Sequence, residues 1–299
     1  MSMKIIFGKN IMQAKVIITV LLILITAGCG KPGINLDNAP YNPKITVEGF
    51  LYPGQTVTGI KLMRNFRLGS QVNSSDLYLT PSGNYVTASI NGNVLTFDLQ
   101  TQSYFNNQLI VDYGKSYTLD VYATIDGTQL HTSSTTITPL KGFSVLNNNL
   151  GNFSFGDSIS VIYTVSPNTV FYSFSIVPDT ASPNNFIYNN GNTRRKLSST
   201  DVANNLNQYK FRSGNVNNID SYSNLVRSYS IKSRDTWFYS SYTVIAYACD
   251  NNFKYYLQTA PSVQEVDGNF HEPIETFQGD GIGVFGSAIA DTVRFTITH

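Results

Sequence analysis

Charge is scarce in this chain. Only 13% of its 299 residues are Asp, Glu, Lys or Arg, and 20 basic against 19 acidic side chains nearly cancel. No broad field of one sign results, which excludes the electrostatic footprint used to hold nucleic acid. Cysteine is almost absent, with Cys29 and Cys249 the only two. Once Cys29 is consumed as described below, Cys249 has no partner within the chain and no disulfide framework can form. Histidine occurs at 131, 271 and 299 only, without a second ligand at metal-binding spacing, so no metal site is expected. Helical apolar periods are missing from nearly the whole length, which excludes a bundle or a doubly wound α/β fold.

One long apolar run exists. Lys4, Lys9 and Lys15, with no acidic residue among them, precede the stretch Val16 to Thr26, and Thr26-Ala27-Gly28-Cys29 follows it. As a helix this run rises about 16 Å, roughly half of a bilayer core, which is too short for a permanent span. The pattern is that of a secretory signal ending at a lipobox, where Thr26 stands in place of the usual Leu. The small residues Ala27 and Gly28 admit a peptidase, and the Cys29 thiol is the nucleophile that takes a diacylglyceryl group. Residues 1–28 are thus expected to be the signal peptide. Residues 29–43, rich in Gly and Pro, are expected to form a lipid-anchored tether.

From residue 44 onward the pattern is one of short strands. Lys44 to Leu51 alternates, Pro53-Gly54 turns the chain, and Thr56 to Met63 returns. Asp76 to Leu79, Tyr85 to Ile90 and Val94 to Leu99 read as strands. Asn91-Gly92 joins the last two as a type I′ hairpin turn. Tyr117 to Ile125 alternates strictly, and Asp126-Gly127 turns it into Gln129 to Ile137. The second half repeats this grammar in Ser158 to Val165, Phe171 to Val177, Leu225 to Lys232 and Phe238 to Cys249. Asp250 is placed to cap a helix from Asn251 to about Gln258, closed by Pro261. A final strand is expected over Thr292 to Thr298. The prediction is an all-β protein of two β-sandwich-like domains. Residues 44–140 form an immunoglobulin-like sandwich. Residues 141–299 form a β-rich domain with a short helix and an irregular region at 178–223.

No residue pattern demands chemistry. Gly281 to Gly286 matches the dinucleotide fingerprint by letter, but a strand follows it where a helix is needed, so no cofactor is expected and the glycines are read as a bulged approach to the last strand. His271 and Glu272, with Asp267, Asp280 and Ser262, could be drawn as a hydrolase site, although a solvated loop explains them as well. Cys249, in the apolar run Tyr242 to Cys249, reads as a small buried hydrophobe. Arg194, Arg195 and Lys196 form a basic cluster in the irregular region. With the single tryptophan, Trp237, they are the candidate contacts for a partner or ligand. Trp237, Phe238, Tyr239, Tyr242 and Tyr247 could line a sugar platform or fill a core.

Several stretches together resemble a large family of Bacteroidetes lipoproteins that carry a domain of unknown function and are often encoded beside TonB-dependent outer-membrane receptors. They are the Pro-rich tether leading into Lys44-Ile45-Thr46-Val47-Glu48-Gly49-Phe50, the segment Tyr113-Gly114-Lys115-Ser116-Tyr117-Thr118-Leu119, Tyr255-Tyr256-Leu257, and Gly281 to Gly286. The resemblance implies an N-terminal immunoglobulin-like sandwich, a β-rich C-terminal domain with a helix, and no catalytic residues. The resulting expectation is a non-enzymatic outer-membrane lipoprotein that binds a glycan, a peptide or a TonB-dependent β-barrel receptor in nutrient uptake. The alternative is a pilin or adhesin subunit that assembles by donating a strand, with Thr292 to Thr298 as the exchanging element. Intact mass spectrometry of the detergent-extracted protein tests the anchor. The chain is expected to start at Cys29 with acyl chains attached, and Cys29→Ala is expected to leave the membrane fraction.

Overall fold

The computed structural model describes residues 41–67, 69–189, 197–217, 226–232, 235–259 and 274–299. Cys29, Arg194, Arg195, Lys196, His271 and Glu272 lie outside the described residues. A small unit includes Tyr41, Asn42, Phe66, Arg67 and residues 69–71, and in it the Arg67 guanidinium sits 5.7 Å from the centre of the Tyr41 ring. The larger unit, Pro43–Asn65 with Val72–His299, holds the strands.

Period-two alternation builds its first lobe. In β1 (Ile45–Leu51) Ile45, Val47 and Leu51 are buried while Thr46 and Glu48 are half-exposed, because successive side chains leave a strand on opposite faces. The lobe continues with β2 (Thr56–Arg64), β3 (Thr87–Ile90), β4 (Asn93–Val94), β5 (Thr96–Asp98), β6 (Ser103–Ile110), β7 (Ser116–Ile125) and β8 (Thr128–Ile137). Asn91-Gly92 and Asp126-Gly127 take positive φ at both positions, 48° and 77°, then 52° and 79°, as a type I′ turn requires. One sheet runs β1-β2-β6-β5 and the other β8-β7-β3-β4. Ile45, Val47, Ile60, Leu62, Ile90, Leu119, Val121 and Ile125 fill the space between them. Two largely antiparallel sheets closed over one core make an immunoglobulin-like sandwich.

The second lobe follows the same rule with larger residues. Its strands are β9 (Ser144–Val145), β10 (Asn149–Ser154), β11 (Ile159–Thr164), β12 (Phe171–Pro178), β13 (Arg212–Asn217), β14 (Val226–Ile231) and β15 (Ser241–Cys249). β13-β12-β15 belong to one sheet and β14-β11-β9 to another, around a core that includes Tyr163, Tyr172, Phe174, Trp237, Phe238, Tyr242 and Phe295. The chain then returns to the first lobe, where β16 (Phe277–Gly279) pairs with β8.

The last strand serves both lobes. β17 (Gly281–Thr298) is 18 residues long. Its first part lies parallel to β1, from Ile45 opposite Gly281 to Leu51 opposite Ser287, and its second part lies antiparallel to β15 from Ala288 to Thr296. β10 pairs with it in parallel from Arg294 to Thr298.

Local differences from the sequence pattern have physical causes. Asp76 to Leu79 is not a strand: Ser74–Leu77 is a single helical turn, and Leu79 is buried to anchor it. Val94 to Leu99 is broken at Leu95, whose side chain is buried, so that β4 and β5 pair in different sheets. β6 has a mixed burial pattern and carries register shifts against β2, which hides its period. The irregular region holds two short helices, Ser199–Asn204 and Leu206–Lys210, and β13. The final strand begins eleven residues earlier than Thr292, because its glycine-rich half is needed beside β1.

Gly283 marks the tightest point of that pairing. Its φ is 109°, and a Cβ there would lie 2.2 Å from the Val47 carbonyl oxygen. Gly59, with φ 72° and nothing within 4 Å of a built Cβ, carries the backbone penalty alone. In urea titrations Gly283→Ala is expected to cost about 1–3 kcal/mol more than Gly59→Ala. Equal losses would show that the β1–β17 contact is not close-packed.

Candidate functional site

The two sandwiches meet around one carboxylate. Asp250 follows β15 directly and caps the helix Asn251–Thr259, its Oδ1 accepting from the Phe253 N–H at 2.9 Å. The same oxygen accepts from the Ser287 N–H at 3.0 Å, and the Asp250 N–H donates to the Ser287 carbonyl at 2.9 Å. Oδ2 accepts from the Thr136 hydroxyl of β8. Thr136 and Ser287 hydroxyls stand 3.0 Å apart, and the Ser287 hydroxyl donates to the Ile137 carbonyl at 3.3 Å. Asn252 spans the same elements, donating to the carbonyls of Thr135 at 2.8 Å and Phe285 at 2.9 Å. Gly286 leaves room for this crowding, since a Cβ there would lie 3.0 Å from the Phe253 nitrogen.

An apolar cluster seals the other side of the helix. Phe253 packs on Phe50 at 4.4 Å between ring centres, together with Phe171, Tyr247, Cys249, Leu257, Ala288 and Tyr52. Burial pushes the Tyr52 hydroxyl up to about 12, and it also raises the Cys249 thiol, which is thereby kept protonated and unreactive. Burial is the largest influence on Asp250 too. It lifts the carboxyl above its usual value, against the Thr136, Phe253 and Ser287 hydrogen bonds that pull it down.

Above Asp250 opens a cleft of about 410 Å3. Asn251, Asn252, Thr135 and Thr138 supply neutral amides and hydroxyls, while Ile137, Leu140 and Val170 form an aliphatic rim that is 64%, 40% and 36% exposed. Such a mixture of apolar wall and a few polar groups, at a junction between lobes, is typical of ligand sites.

The described residues among those singled out in sequence lie in separate parts of the fold. Trp237 is only 4% exposed, stacked 5.6 Å from Phe186 and 5.0 Å from Tyr209, which makes it core and removes it from the contact surface. Phe238 and Tyr242 are buried as well, and the Tyr242 hydroxyl accepts from the N–H groups of Trp237 and Phe238 and donates to the Phe238 carbonyl. Tyr239 stacks on His299 at 3.9 Å, and Tyr247 belongs to the junction cluster. Asp280 pairs with Lys44 at 3.5 Å, and the other residues of the drawn hydrolase site, Ser262, Asp267, His271 and Glu272, lie outside the described residues. His131 lies on the outer face of the first sandwich, stacked on Tyr122 and 3.5 Å from Asp120. Gly281 to Gly286 are strand, as their pairing with β1 shows. Among the described residues no group of three or more His, Cys, Asp or Glu could hold a metal, and no helix is long and apolar enough to cross a membrane. The capping role of Asp250 was visible in sequence, but its bonds to Thr136 and Ser287 were not.

No family model and no curated protein matches the chain. Among solved structures, "Anomalous substructure of Titin-A168169" is similar at 10% identity and a TM-score of 0.20, over 87% of this chain and 98% of that one. The native conformation of E. coli alpha-2-macroglobulin gives 11% and 0.23, over 85% of this chain and 14% of that one. An I-band fragment of titin gives 11% and 0.20, over 86% and 65%. Likenesses this remote carry no argument about function, and the all-β assignment rests on the sheets themselves.

Asp250 makes stability depend on pH in a definite direction. Its folded-state pKa is raised above the ordinary 3.8, so its contribution is fully present below that value and is lost as pH rises through the folded value. In urea titrations carried upward from about pH 4, wild type is expected to lose stability relative to Asp250→Asn as pH rises. Parallel profiles would overturn the assignment. Asp250→Ala strands three donors and is expected to cost about 2 kcal/mol or more at any pH.

Proposed function

We propose that this protein is a lipid-anchored, non-enzymatic binding module of the outer membrane that works beside a TonB-dependent β-barrel receptor in nutrient uptake. The observation that carries the reading is the state of the cleft carboxylate. Both oxygens of Asp250 are engaged by Thr136, Phe253 and Ser287, so the cleft offers contacts and no free base. Its thiol, Cys249, is buried and held protonated. Exposed amides and an aliphatic rim suit a neutral peptide or glycan, with the Cys29 lipid fixing the module at the membrane through residues 29–43. Arg194, Arg195 and Lys196 remain part of this proposal as a second contact for the receptor.

Assembly by strand donation has less support from the terminal strand. Arg294 and Thr296 have partners on both sides, in β15 and β10, so that stretch presents no open edge for exchange.

The test is native purification of the full-length protein from detergent-solubilised outer membrane. A β-barrel receptor is expected to co-purify in fixed proportion. Val170→Glu combined with Asn251→Lys is expected to reduce its recovery about tenfold, the factor for 1.4 kcal/mol, without moving the urea midpoint. Recovery of the protein alone, with neither receptor nor glycan or peptide, overturns the proposal.

A further inference from the structure

The passage from β4 to β5 leaves one side of the first sandwich open. Asn93 and Val94 pair with Ile90 and Ser89, and the Leu95 N–H donates to the Ala88 carbonyl at 2.8 Å. By Thr96 the chain has joined β6 in the opposite sheet. Backbone groups along a strand point to alternate sides, so Val86, two residues before Ala88 and buried on the same face, directs its N–H and C=O toward the side β4 has vacated. Among the described residues neither group of Val86 has a backbone partner.

Beside it lies a groove of about 680 Å3 between the two sheet edges. Val86, Val94, Leu95, Phe97, Leu99 and Tyr104 contribute its apolar lining. Val94 and Leu99 are 70% and 77% exposed, which is unusual for aliphatic side chains placed together. Of the twelve lining residues none carries a charge.

We propose that this groove accepts an extended, uncharged peptide strand from a partner protein, which pairs its main chain with Val86 and lays alternate apolar side chains against Val94, Phe97 and Leu99. An unpaired backbone donor and acceptor in an apolar setting are satisfied by another main chain, the chemistry of strand addition to a sheet edge. Uncharged walls select the partner's sequence, because a charge entering them loses water and gains no counter-charge. The groove is too small for a globular face: a stable contact with a second folded copy needs about 800 Å2 per partner, which a dozen residues around a slot do not present. The proposal does not rest on the Asp250 cleft.

Fluorescence anisotropy with the full-length protein in detergent micelles tests it. The probe is a fluorescein-labelled hexapeptide amide of sequence Ser-Val-Thr-Ile-Thr-Val. Saturable binding is expected, with hydrogen-exchange protection appearing at Val86. Methylation of alternate peptide nitrogens is expected to weaken binding at least tenfold, as are Leu99→Lys and Val94→Glu, exposed positions at which the urea midpoint should hold. Absence of saturable binding, or equal affinity for the N-methylated peptide, overturns the proposal. Concentration-dependent dimerisation that protects Val86 without peptide overturns it too, by assigning the groove to a second copy of this chain. Val170→Glu with Asn251→Lys in the cleft is expected to leave peptide binding unchanged, which separates failure here from failure of the proposed function.

Discussion

The pairing of β1 with β17 is the constraint on which the rest of the structure depends. Seven residues at one end of the fold lie in parallel register with seven near the other, from Ile45 opposite Gly281 to Leu51 opposite Ser287. Parallel strands cannot be joined by a tight turn, so everything between them is in effect one long crossover connection. β17 then continues past Ser287 to become a central strand of the second sandwich, bordered by β15 and β10. Neither core is complete without it: Phe285 belongs to the first, and Val293, Phe295 and Ile297 belong to the second. The glycines of its first half follow from that position, since Val47 leaves no space for a side chain at Gly283.

Where β17 crosses from one core to the other, polar and apolar contacts divide the work. Asp250, Ser287, Thr136 and Asn252 tie β15, β17, β8 and the junction helix by directional bonds. Phe50, Phe253 and Tyr247 fill the volume behind them. A buried carboxylate is costly unless its hydrogen bonds are met, and here they are met by groups from separate elements. The cleft exists because the linker after β8 and the turn before β12 stand apart above this knot, with Pro139, Leu140, Pro167 and Val170 on its walls.

Legibility in the sequence followed the range of the interactions. Strands with strict alternation and a two-residue turn, such as β7 and β8 around Asp126-Gly127, were readable because their register is set locally. The junction helix was readable from Asp250 and the spacing of Phe253 and Leu257. Strands with an interrupted register or a single edge partner were not. β6 lost its period to register shifts, and among the described residues β13 pairs with β12 alone. The first half of β17 read only as a bulged approach to a strand beginning at Thr292, because its glycines answer to Val47 far away in the chain. Aromatic residues carried no signal of their own: Trp237 and Tyr242 proved to be core, whereas Tyr122 on the first sandwich is 53% exposed. Composition cannot separate these cases, since core and surface aromatics occupy the same alternating positions.

The order of the strands has a consequence for biosynthesis. A ribosome delivers β1 before the strands of the second lobe and β16 and β17 after them, so the first sandwich waits with an unfilled edge while the second lobe is being made. One late segment then completes both lobes together. Loss of the segment Gly281 to Ser287 would be felt in the sandwich that was translated first.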